Sequence, residues 1–302
     1  MSENITAVSL FSGAGGMDVG FKNAGIKVLM ANEIDKMASK TFIENHPETK
    51  MIVDDINNIF PVLEEYRGVD IVFGGPPCQG FSVIGKMDPD DIRSQLIWSF
   101  LKAVEIIQPR AFVMENVKAL AAIAKWKDVR EEFIVKAKEM GYGCIPFIVN
   151  AAEYGTPQKR ERVFFIGIKG EEEFGDKFLE LLYKQKSKAP TIRELFKDLG
   201  PAGTERNPKT CSAKITYAER PVMRKIPYDC LMFNGIGRPI DPDGYSRTIT
   251  ASQGGNMTLI VDEEFLHNPN ANNWIQEYYE KLVSHEVTPK FAEAPERLRR
   301  VT

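Results

Sequence analysis

The sequence predicts an α/β protein in which a doubly wound, mostly parallel sheet is followed by a second, smaller, loop-rich domain. In the first 170 residues, short apolar segments typical of buried strands alternate with longer segments typical of helices. This alternation favours right-handed βαβ units, which bring successive strands together in one parallel sheet. Beyond residue 170 the alternation ends, and proline- and glycine-rich segments follow. We therefore expect one domain over residues 1–170 and another over residues 171–302.

The elements of the first domain are predicted one by one from their periodicity. Strands are expected at residues 5–11, 26–33, 69–75, 110–117, 144–155 and 162–168, with a further strand close before Asp55. Helices are expected at residues 16–25, 36–46, 91–108, 128–141 and 170–185. Gly25 and Gly141 close two of these helices, which is a common position for glycine.

The composition is that of an ordinary globular protein. Of 302 residues, 43% are hydrophobic and 27% are charged, and the net charge is −3. The N-terminus does not resemble a signal peptide, and no segment approaches the ~20 apolar residues of a membrane helix. The four cysteines and three histidines are scattered, which argues against a metal site and a disulfide framework. We expect a cytoplasmic protein that holds no metal and contacts no membrane.

The segment LFSGAGG places glycines directly after the first predicted strand. In a doubly wound, Rossmann-like sheet, a glycine turn there lets the backbone approach a nucleotide-like ligand. Glu33 ends the second strand, where a carboxylate can accept hydrogen bonds from ribose hydroxyls. Asp55 and Ile56 follow the third strand and could meet an adenine amino group and ring. Asp18 replaces the glycine of a dinucleotide fingerprint, which disfavours a nicotinamide oxidoreductase.

The segment GGPPCQGFS holds a single thiol, Cys78, in a stiff turn at the carboxyl end of a predicted strand. A lone cysteine is commonly just a small buried hydrophobic residue. Here Pro76 and Pro77 fix the backbone, and Gln79 is not typical of a core. A positioned, reactive thiol is therefore the favoured interpretation.

Two charged residues are candidates to share the crevice with this thiol. Glu115 lies near the end of the next predicted strand, and Arg162 begins the last one. The competing interpretations are a helix N-cap or surface acid for Glu115 and a solvated charge for Arg162. A thiol, a carboxyl proton donor, a guanidinium and a nucleoside cofactor together suit activation of a pyrimidine ring. Thiolate addition at C6 makes C5 nucleophilic towards a methyl sulfonium, while a carboxyl group at N3 neutralises the developing charge.

These segments together resemble the DNA (cytosine-5)-methyltransferases, in particular the small bacterial modification enzymes. The matching segments are LFSGAGG, NEID, DDI, GGPPCQGFS, ENV and QKRERVFFIG, in the family's order and spacing across residues 5–168. The resemblance implies that Cys78 attacks C6 of a flipped cytosine, that Glu115 is the acid at N3, and that Arg162 donates to the base. It also implies a site for S-adenosylmethionine, and for the product S-adenosylhomocysteine, lined by Phe11, Gly13, Gly15, Glu33, Ile34, Asp55, Ile56 and Leu96.

The resemblance further implies a surface for duplex DNA. Residues 171–302 would form a target-recognition domain, in which the segment 245–256 resembles the loop that enters the major groove. Between residues 184 and 247 there are 13 Lys and Arg against 7 Asp and Glu, which fits a DNA-facing segment or an ordinary solvated face. Arg238 and Arg247 are candidate readers of guanine. Residues 82–93 would close over the flipped base. The DNA-contacting residues implied are Gln79, Ser82, Arg93, Arg238, Arg247, Thr248 and Thr250.

Three questions stay open at this stage. The chain ends in PERLRRVT, where the family's final segment begins. We expect a second polypeptide to supply that segment, with truncation as the alternative. A tRNA cytosine-5 methyltransferase would share the thiol and the ENV segment, although the basic loop-rich region favours DNA. A non-catalytic DNA-binding or regulatory subunit would have no need of Cys78, Glu115 and Arg162.

Overall fold

The computed structural model describes residues 5–77, 95–249 and 254–301. The chain divides into two compact units. The first unit consists of Met1–Val149 and Glu161–Lys184, and the second consists of Asn150–Arg160 and Gln185–Thr302. The residues between 150 and 160 therefore group with the second unit, although they lie within the first domain expected from the sequence.

Strands and helices alternate along the first part of the chain. In chain order they are β1 (Thr6–Leu10), α1 (Gly16–Asn23), β2 (Lys27–Glu33), α2 (Lys36–Asn45), β3 (Lys50–Val53), α3 (Phe60–Leu63), β4 (Ile71–Gly74), α4 (Leu96–Ile107), β5 (Ala111–Val117), α5 (Lys118–Ala122), α6 (Lys127–Glu139), β6 (Tyr142–Asn150), β7 (Gln158–Lys159), β8 (Glu161–Lys169) and α7 (Gly175–Tyr183).

Shorter elements make up the rest of the chain. They are α8 (Ile192–Phe196), β9 (Tyr217–Val222), β10 (Leu231–Phe233), β11 (Ser246–Arg247), β12 (Ile260–Asp262), α9 (Glu263–His267), α10 (Trp274–Val283) and β13 (Leu298–Arg300). Within the described residues, no helix is long and apolar enough to cross a membrane.

The first unit is built on a mixed sheet that has seven strands in the described part of the chain, in the order β3-β2-β1-β4-β5-β8-β6. The run from β3 to β5 is parallel, and β8 pairs antiparallel with β5. This confirms the doubly wound, mostly parallel α/β fold. The direction of strand order reverses between β1 and β4, so the crevice at their carboxyl ends is where such sheets bind ligands.

Apolar side chains from the sheet and helices form the core of the first unit. The aromatic residues at its centre include Phe100, Phe112, Phe133 and Phe165, all at most 1% exposed. The Phe112 ring contacts Phe100 and Phe133 edge-on, with centroids 6.2 Å away in each case. Burying side chains of this size is the main driving force for folding. The packed core fixes the strand ends on which the candidate site lies.

The second unit consists of small strand pairs joined by long irregular segments, as expected from its proline and glycine content. Strand β9 pairs antiparallel with β10, β12 with β13, and β11 runs parallel to β7. The core of this unit is aromatic: the Tyr278 ring centroid lies 4.8 Å from Tyr217, 5.1 Å from Trp274 and 6.0 Å from Phe233. Helix α10 brings Trp274 and Tyr278 into this cluster, because residues four apart share one helix face.

Candidate functional site

A glycine turn joins β1 to α1 at the switch point of the sheet. Phe11 has φ of 53°, Gly13 of 56° and Gly15 of 89°, all in the left-handed region. Glycine adopts this region without a steric penalty, whereas Phe11 does not. A Cβ atom added at Gly13 or Gly16 would meet nothing within 4 Å, so the outer face of the turn is open. The backbone is thus presented to any ligand that enters the crevice.

Glu33 ties the end of β2 to this turn. Its Oε2 accepts a hydrogen bond from the Gly13 amide at 2.8 Å, and its Oε1 accepts from the amides of Ile34 and Asp35 at 2.9 and 2.8 Å. A carboxylate has about four acceptor positions, so ribose hydroxyls could still donate to it. The Ile34 side chain next to it is 63% exposed. An exposed apolar side chain beside an oriented carboxylate is suited to a nucleoside.

The exit of β3 is positioned by a buried amide. Asn32, 1% exposed, donates from Nδ2 to the carbonyl oxygens of Ile52 and Asp54 at 3.1 and 2.8 Å. The next residue, Asp55, caps a short 3-10 helix by accepting from the Asn57 amide at 2.8 Å. The side chain of Ile56, the first residue of this helix, is 2% exposed and belongs to the core. Ile56 therefore anchors the exit of β3 to the core of the first unit.

A polar cluster lies beneath the glycine turn. Asp18 and His46 are 1% and 3% exposed, and a Cβ atom at Gly15 would lie 2.5 Å from His46 Nε2. Burial raises the pKa of Asp18, while the Ser9 hydroxyl and the His46 ring oppose that shift. Gly15 is therefore required both for its backbone angle and for its lack of a side chain. Sequence reasoning noted Asp18 as a departure from a motif and did not foresee this buried position.

Glu115 and Arg162 form an ion pair at the ends of β5 and β8. Arg162 Nε lies 2.8 Å from Glu115 Oε1, and each side chain is 19% exposed. Arg162 Nη1 also donates to the Glu161 carbonyl oxygen at 2.8 Å. The antiparallel pairing of β5 and β8 places Val117 opposite Arg162 and so brings the two charges together. Both residues were predicted from sequence as partners in one crevice, and they lie together in the first unit.

The same strand end holds the segment that leads to Cys78. Asn116, 1% exposed, donates from Nδ2 to the Pro76 carbonyl oxygen at 3.2 Å. Its Oδ1 accepts from the Val117 amide at 2.9 Å. A Cβ atom at Gly75 would lie 3.4 Å from Glu115 Oε2. The Glu115 carboxylate therefore lies against Gly75, directly before the two prolines. Asn116 belongs to the ENV segment, but the sequence alone predicts no role for it.

In the second unit, three of the predicted DNA-contacting residues line one cavity of about 380 Å³, namely Arg238, Arg247 and Thr248. Arg247 Nη2 pairs with the carboxylate of Asp229, and Arg238 Nε donates to the Asp229 carbonyl oxygen at 3.1 Å. Thr248 Oγ1 donates to the Lys159 carbonyl oxygen at 2.9 Å. Basic groups lining a concave surface suit an anionic ligand. Asp229 was not singled out from the sequence.

The remaining predicted site residues fall into two groups. Leu96, the first residue of α4, is half-buried and packs on the core of the first unit. Five predicted residues lie outside the described part of the chain: Cys78, Gln79, Ser82, Arg93 and Thr250. Among the described residues no group of His, Cys, Asp and Glu is suited to hold a metal ion. The described site residues therefore form three groups. The glycine turn with Glu33 and Asp55 lies in the first unit, as does the Glu115–Arg162 pair. The cavity lined by Arg238 and Arg247 lies in the second unit.

Structural comparison finds a similar fold among solved structures. The structure of the S. pombe Dnmt2 methyltransferase matches with a TM-score of 0.61, covering 99% of this chain and 84% of that one. The two sequences are 17% identical over this match, so the likeness concerns the fold.

The chain belongs to the C-5 cytosine-specific DNA methylase family, which it matches over residues 5–302. Type II methyltransferase M.DdeI of Desulfomicrobium norvegicum is 36% identical over 197 residues, 64% of this chain and 48% of that protein. Type II methyltransferase M.AquIA of a Picosynechococcus species is 41% identical over 174 residues, 53% of this chain and 70% of that protein. The match thus spans about half of the first relative, and the family resemblance expected from the motifs is confirmed.

Proposed function

We propose that this chain transfers a methyl group from S-adenosylmethionine to C5 of cytosine in a specific duplex DNA sequence. One observation carries the proposal most directly: the Glu115–Arg162 ion pair, 2.8 Å long, lies against the turn that leads to Cys78. A carboxyl group and a fixed guanidinium, close to the segment that leads to a thiol, match the needs of addition to a pyrimidine. Membership of the cytosine-C5 family supports the same reaction.

The proposed chemistry assigns one task to each residue. The Cys78 thiolate adds to C6 of a cytosine turned out of the duplex, and Glu115 donates a proton to N3. These two events make C5 nucleophilic. Bound S-adenosylmethionine supplies the electrophilic methyl group that C5 accepts. Loss of the C5 proton to solvent water then lets Cys78 leave C6 as the thiolate, and return of the N3 proton to Glu115 gives the neutral aromatic ring. Arg162 holds the Glu115 carboxylate in place and presents donors towards the base.

The crevice at the ends of β1, β2 and β3 fits a methyl-donating nucleoside. The open face of the glycine turn, the Glu33 carboxylate and the exposed Ile34 side chain supply a backbone surface, an acceptor and an apolar contact. Glu33 would accept from the ribose hydroxyls and Ile34 would cover the adenine. Asp55 would accept from the adenine amino group, and Phe11, Gly13, Gly15, Ile56 and Leu96 would complete the lining.

The two units divide the work in this proposal. The first unit, close to the expected 1–170 domain, would bind the cofactor and perform the chemistry. The second unit, close to the expected 171–302 domain, would read the DNA sequence. The cavity lined by Arg238, Arg247 and Lys159 supports this division, because clustered cations attract the phosphate backbone and arginine reads guanine.

The proposal is tested by methyl transfer with the purified chain. Radiolabelled S-adenosylmethionine is incubated with mixed-sequence duplex DNA, with the same DNA methylated beforehand at C5 of all cytosines, and with tRNA. We expect label in the first DNA, at the latest when the second polypeptide considered below is added, and none in the premethylated DNA. Label in tRNA alone would contradict the choice of substrate. Label that persists in premethylated DNA would contradict the choice of C5.

The second polypeptide expected from the sequence stays a prediction. Neither the described residues nor the relatives test it. The test is to repeat the assay with the polypeptide encoded directly downstream added to the purified chain. Activity that appears or rises strongly on addition would support a two-part enzyme, whereas full activity of the chain alone would contradict it.

A further inference from the structure

We propose that Asp229 is a specificity-determining residue, which holds the guanidinium groups of Arg247 and Arg238 side by side so that they read guanine in duplex DNA. This inference rests on the proposed function, because it names the residue that orients the DNA-reading groups. It concerns a carboxylate that repels the phosphate backbone and so has no direct use in binding DNA.

One residue contacts both arginines, through different atoms. The Asp229 carboxylate pairs with Arg247 Nη2, and the Asp229 carbonyl oxygen accepts from Arg238 Nε at 3.1 Å. The side chains of Asp229 and Arg247 are each 40% exposed, so the pair is open to a ligand. A guanidinium has five N–H donors, so a contact with Asp229 leaves donors for a base edge.

The arrangement needs the carboxylate because the two arginines repel each other. Burial, followed by the nearby charge of Arg247, lowers the pKa of Arg238, whereas Asp229 raises it. Without the negative charge, Arg247 would turn towards solvent and away from its neighbour. A guanidinium that samples many directions contacts any phosphate but discriminates poorly between bases.

Asp229 is carried on a rigid turn. It ends a short 3-10 helix, and its amide donates to the Ile226 carbonyl oxygen at 3.1 Å. The following residue, Cys230, is 0% exposed, and its sulfur accepts from the Arg224 amide at 3.1 Å. Because the main chain is fixed on both sides, the carboxylate offers one defined position to Arg247. Such support is what keeps a recognition group within the tolerance that specificity requires.

The cavity in front of the arginines is suited to part of a nucleic acid. Its volume is about 380 Å³, and its other lining residues include Lys159, Asp241, Tyr245 and Thr248. Cations, hydroxyls and aromatic faces are the groups that contact phosphates, sugars and bases. Asp229 lies on the same wall as Arg247, so its position decides where the guanidinium fork points.

An ordinary surface ion pair is the competing explanation, and the chain offers a matched control for it. Lys186 Nζ lies 2.5 Å from Glu153 Oε2 in the same unit, and these side chains are 45% and 48% exposed. Exposed pairs of this kind contribute little to stability. Asp229→Ala and Glu153→Ala should therefore fold equally well, and they should differ in how they discriminate between DNA sequences.

The test begins with the preferred duplex of the full wild-type chain, selected from a random pool. Binding of this duplex and of an unrelated duplex is then measured for wild type, Asp229→Ala, Asp229→Glu and Glu153→Ala over a series of salt concentrations. Asp229→Ala should lower the ratio of the two affinities about 10-fold, as expected for one misdirected base contact. Its affinity for the unrelated duplex should be unchanged or higher, because a negative charge is lost.

The other two variants complete the test. Asp229→Glu should recover most of the discrimination, and Glu153→Ala should behave as wild type. An unchanged ratio in Asp229→Ala, or an equal fall in both affinities, would overturn the inference. A wild-type chain without sequence preference would overturn it as well. Methyl transfer to C5 is measured separately and tests the proposed function. The proposed function and the inference about Asp229 can therefore fail independently of each other.

Discussion

Replacing Asn116 by alanine tests how the end of β5 holds the turn before Cys78. The Asn116 side chain is 1% exposed, and it bridges the Pro76 carbonyl oxygen and the Val117 amide at 3.2 and 2.9 Å. Alanine removes both hydrogen bonds, and it leaves the Pro76 carbonyl oxygen and the Val117 amide without these partners. The substitution should therefore lower stability and also release the residues that position the thiol.

The size of the effect follows from the buried groups that lose a partner. A buried donor or acceptor without a partner costs about 1–3 kcal/mol, so two such groups cost about 4 kcal/mol at the middle of the combined range. For a domain of this size, ~4 kcal/mol corresponds to a melting temperature lower by roughly 8–16 °C. An exposed amide provides the control: Asn45 Nδ2 donates to the Thr41 carbonyl oxygen at 2.8 Å on the surface of α2. Asn45→Ala should change stability by less than ~0.5 kcal/mol.

Calorimetry of the two variants and the wild type measures the melting of the first unit. Methyl transfer assayed well below the transition then measures the functional effect. We expect kcat of Asn116→Ala to fall more than the affinity for S-adenosylmethionine, because the turn before Cys78 moves while the β1–β3 crevice stays. A melting temperature equal to that of Asn45→Ala would refute the assigned hydrogen bonds. Normal kcat in a destabilised variant would refute the link to the thiol.

Three further substitutions probe the site and the fold. Glu115→Gln should reduce methyl transfer at least ~100-fold through loss of proton donation, whereas Glu161→Gln on the neighbouring strand should stay near wild type in the same radiolabel assay. Gly15→Ala should weaken S-adenosylmethionine binding in calorimetric titration, because φ there is 89° and the added methyl group meets a buried ring. The main-chain amide of Thr6 holds the pKa of the Asp70 carboxyl below its usual 3.8, so its stabilisation is present above that pH and is lost in stronger acid. The asparagine side chain keeps one oxygen that can accept from the Thr6 amide, so Asp70→Asn should lower the free energy of unfolding in urea by only about 1 kcal/mol near neutral pH, and the difference from wild type should close as the pH falls below 3.8.

The parallel part of the sheet could be predicted because its signals are local. Short apolar segments mark β1, β2, β4 and β5, and each lies inside the range expected from periodicity. The position of β8 could not be predicted in the same way. It lies between β5 and β6 and runs antiparallel to β5, and only contacts between distant segments determine such a pairing.

Helix α10 has a clear periodic signal in the sequence, although it lies in a region whose composition indicates loops. Its Trp274, Tyr278 and Leu282 repeat every four residues and face the aromatic core. Asn273 precedes the helix and accepts from the Gln276 amide at 3.1 Å, which is a recognisable N-cap. The surrounding proline- and glycine-rich segments indicate loops, so composition alone hides this helix and the four-residue spacing reveals it.

The charged residues of the candidate site could be predicted from the sequence, whereas the residues that hold them in place could not. Glu33, Glu115 and Arg162 are large charged groups at strand ends, where a crevice is expected. Asn116 and Asp229 act through main-chain groups or through residues far along the chain. Hydrogen bonds of this kind leave no periodic pattern in a sequence, so they emerge only once the fold brings the partners together.

The covalent role of Cys78 is the central claim, and trapping the adduct tests it most directly. Duplex DNA with 5-fluorocytosine at the methylated position has no C5 proton to lose, so the cysteine–C6 bond should persist after methyl transfer. Wild-type chain with S-adenosylmethionine should give a stable protein–DNA species by mass spectrometry, with the DNA attached at Cys78. Cys78→Ser should bind the same DNA and form no such species. A covalent species that persists in Cys78→Ser, or methyl transfer by that variant at the wild-type rate, would contradict the account.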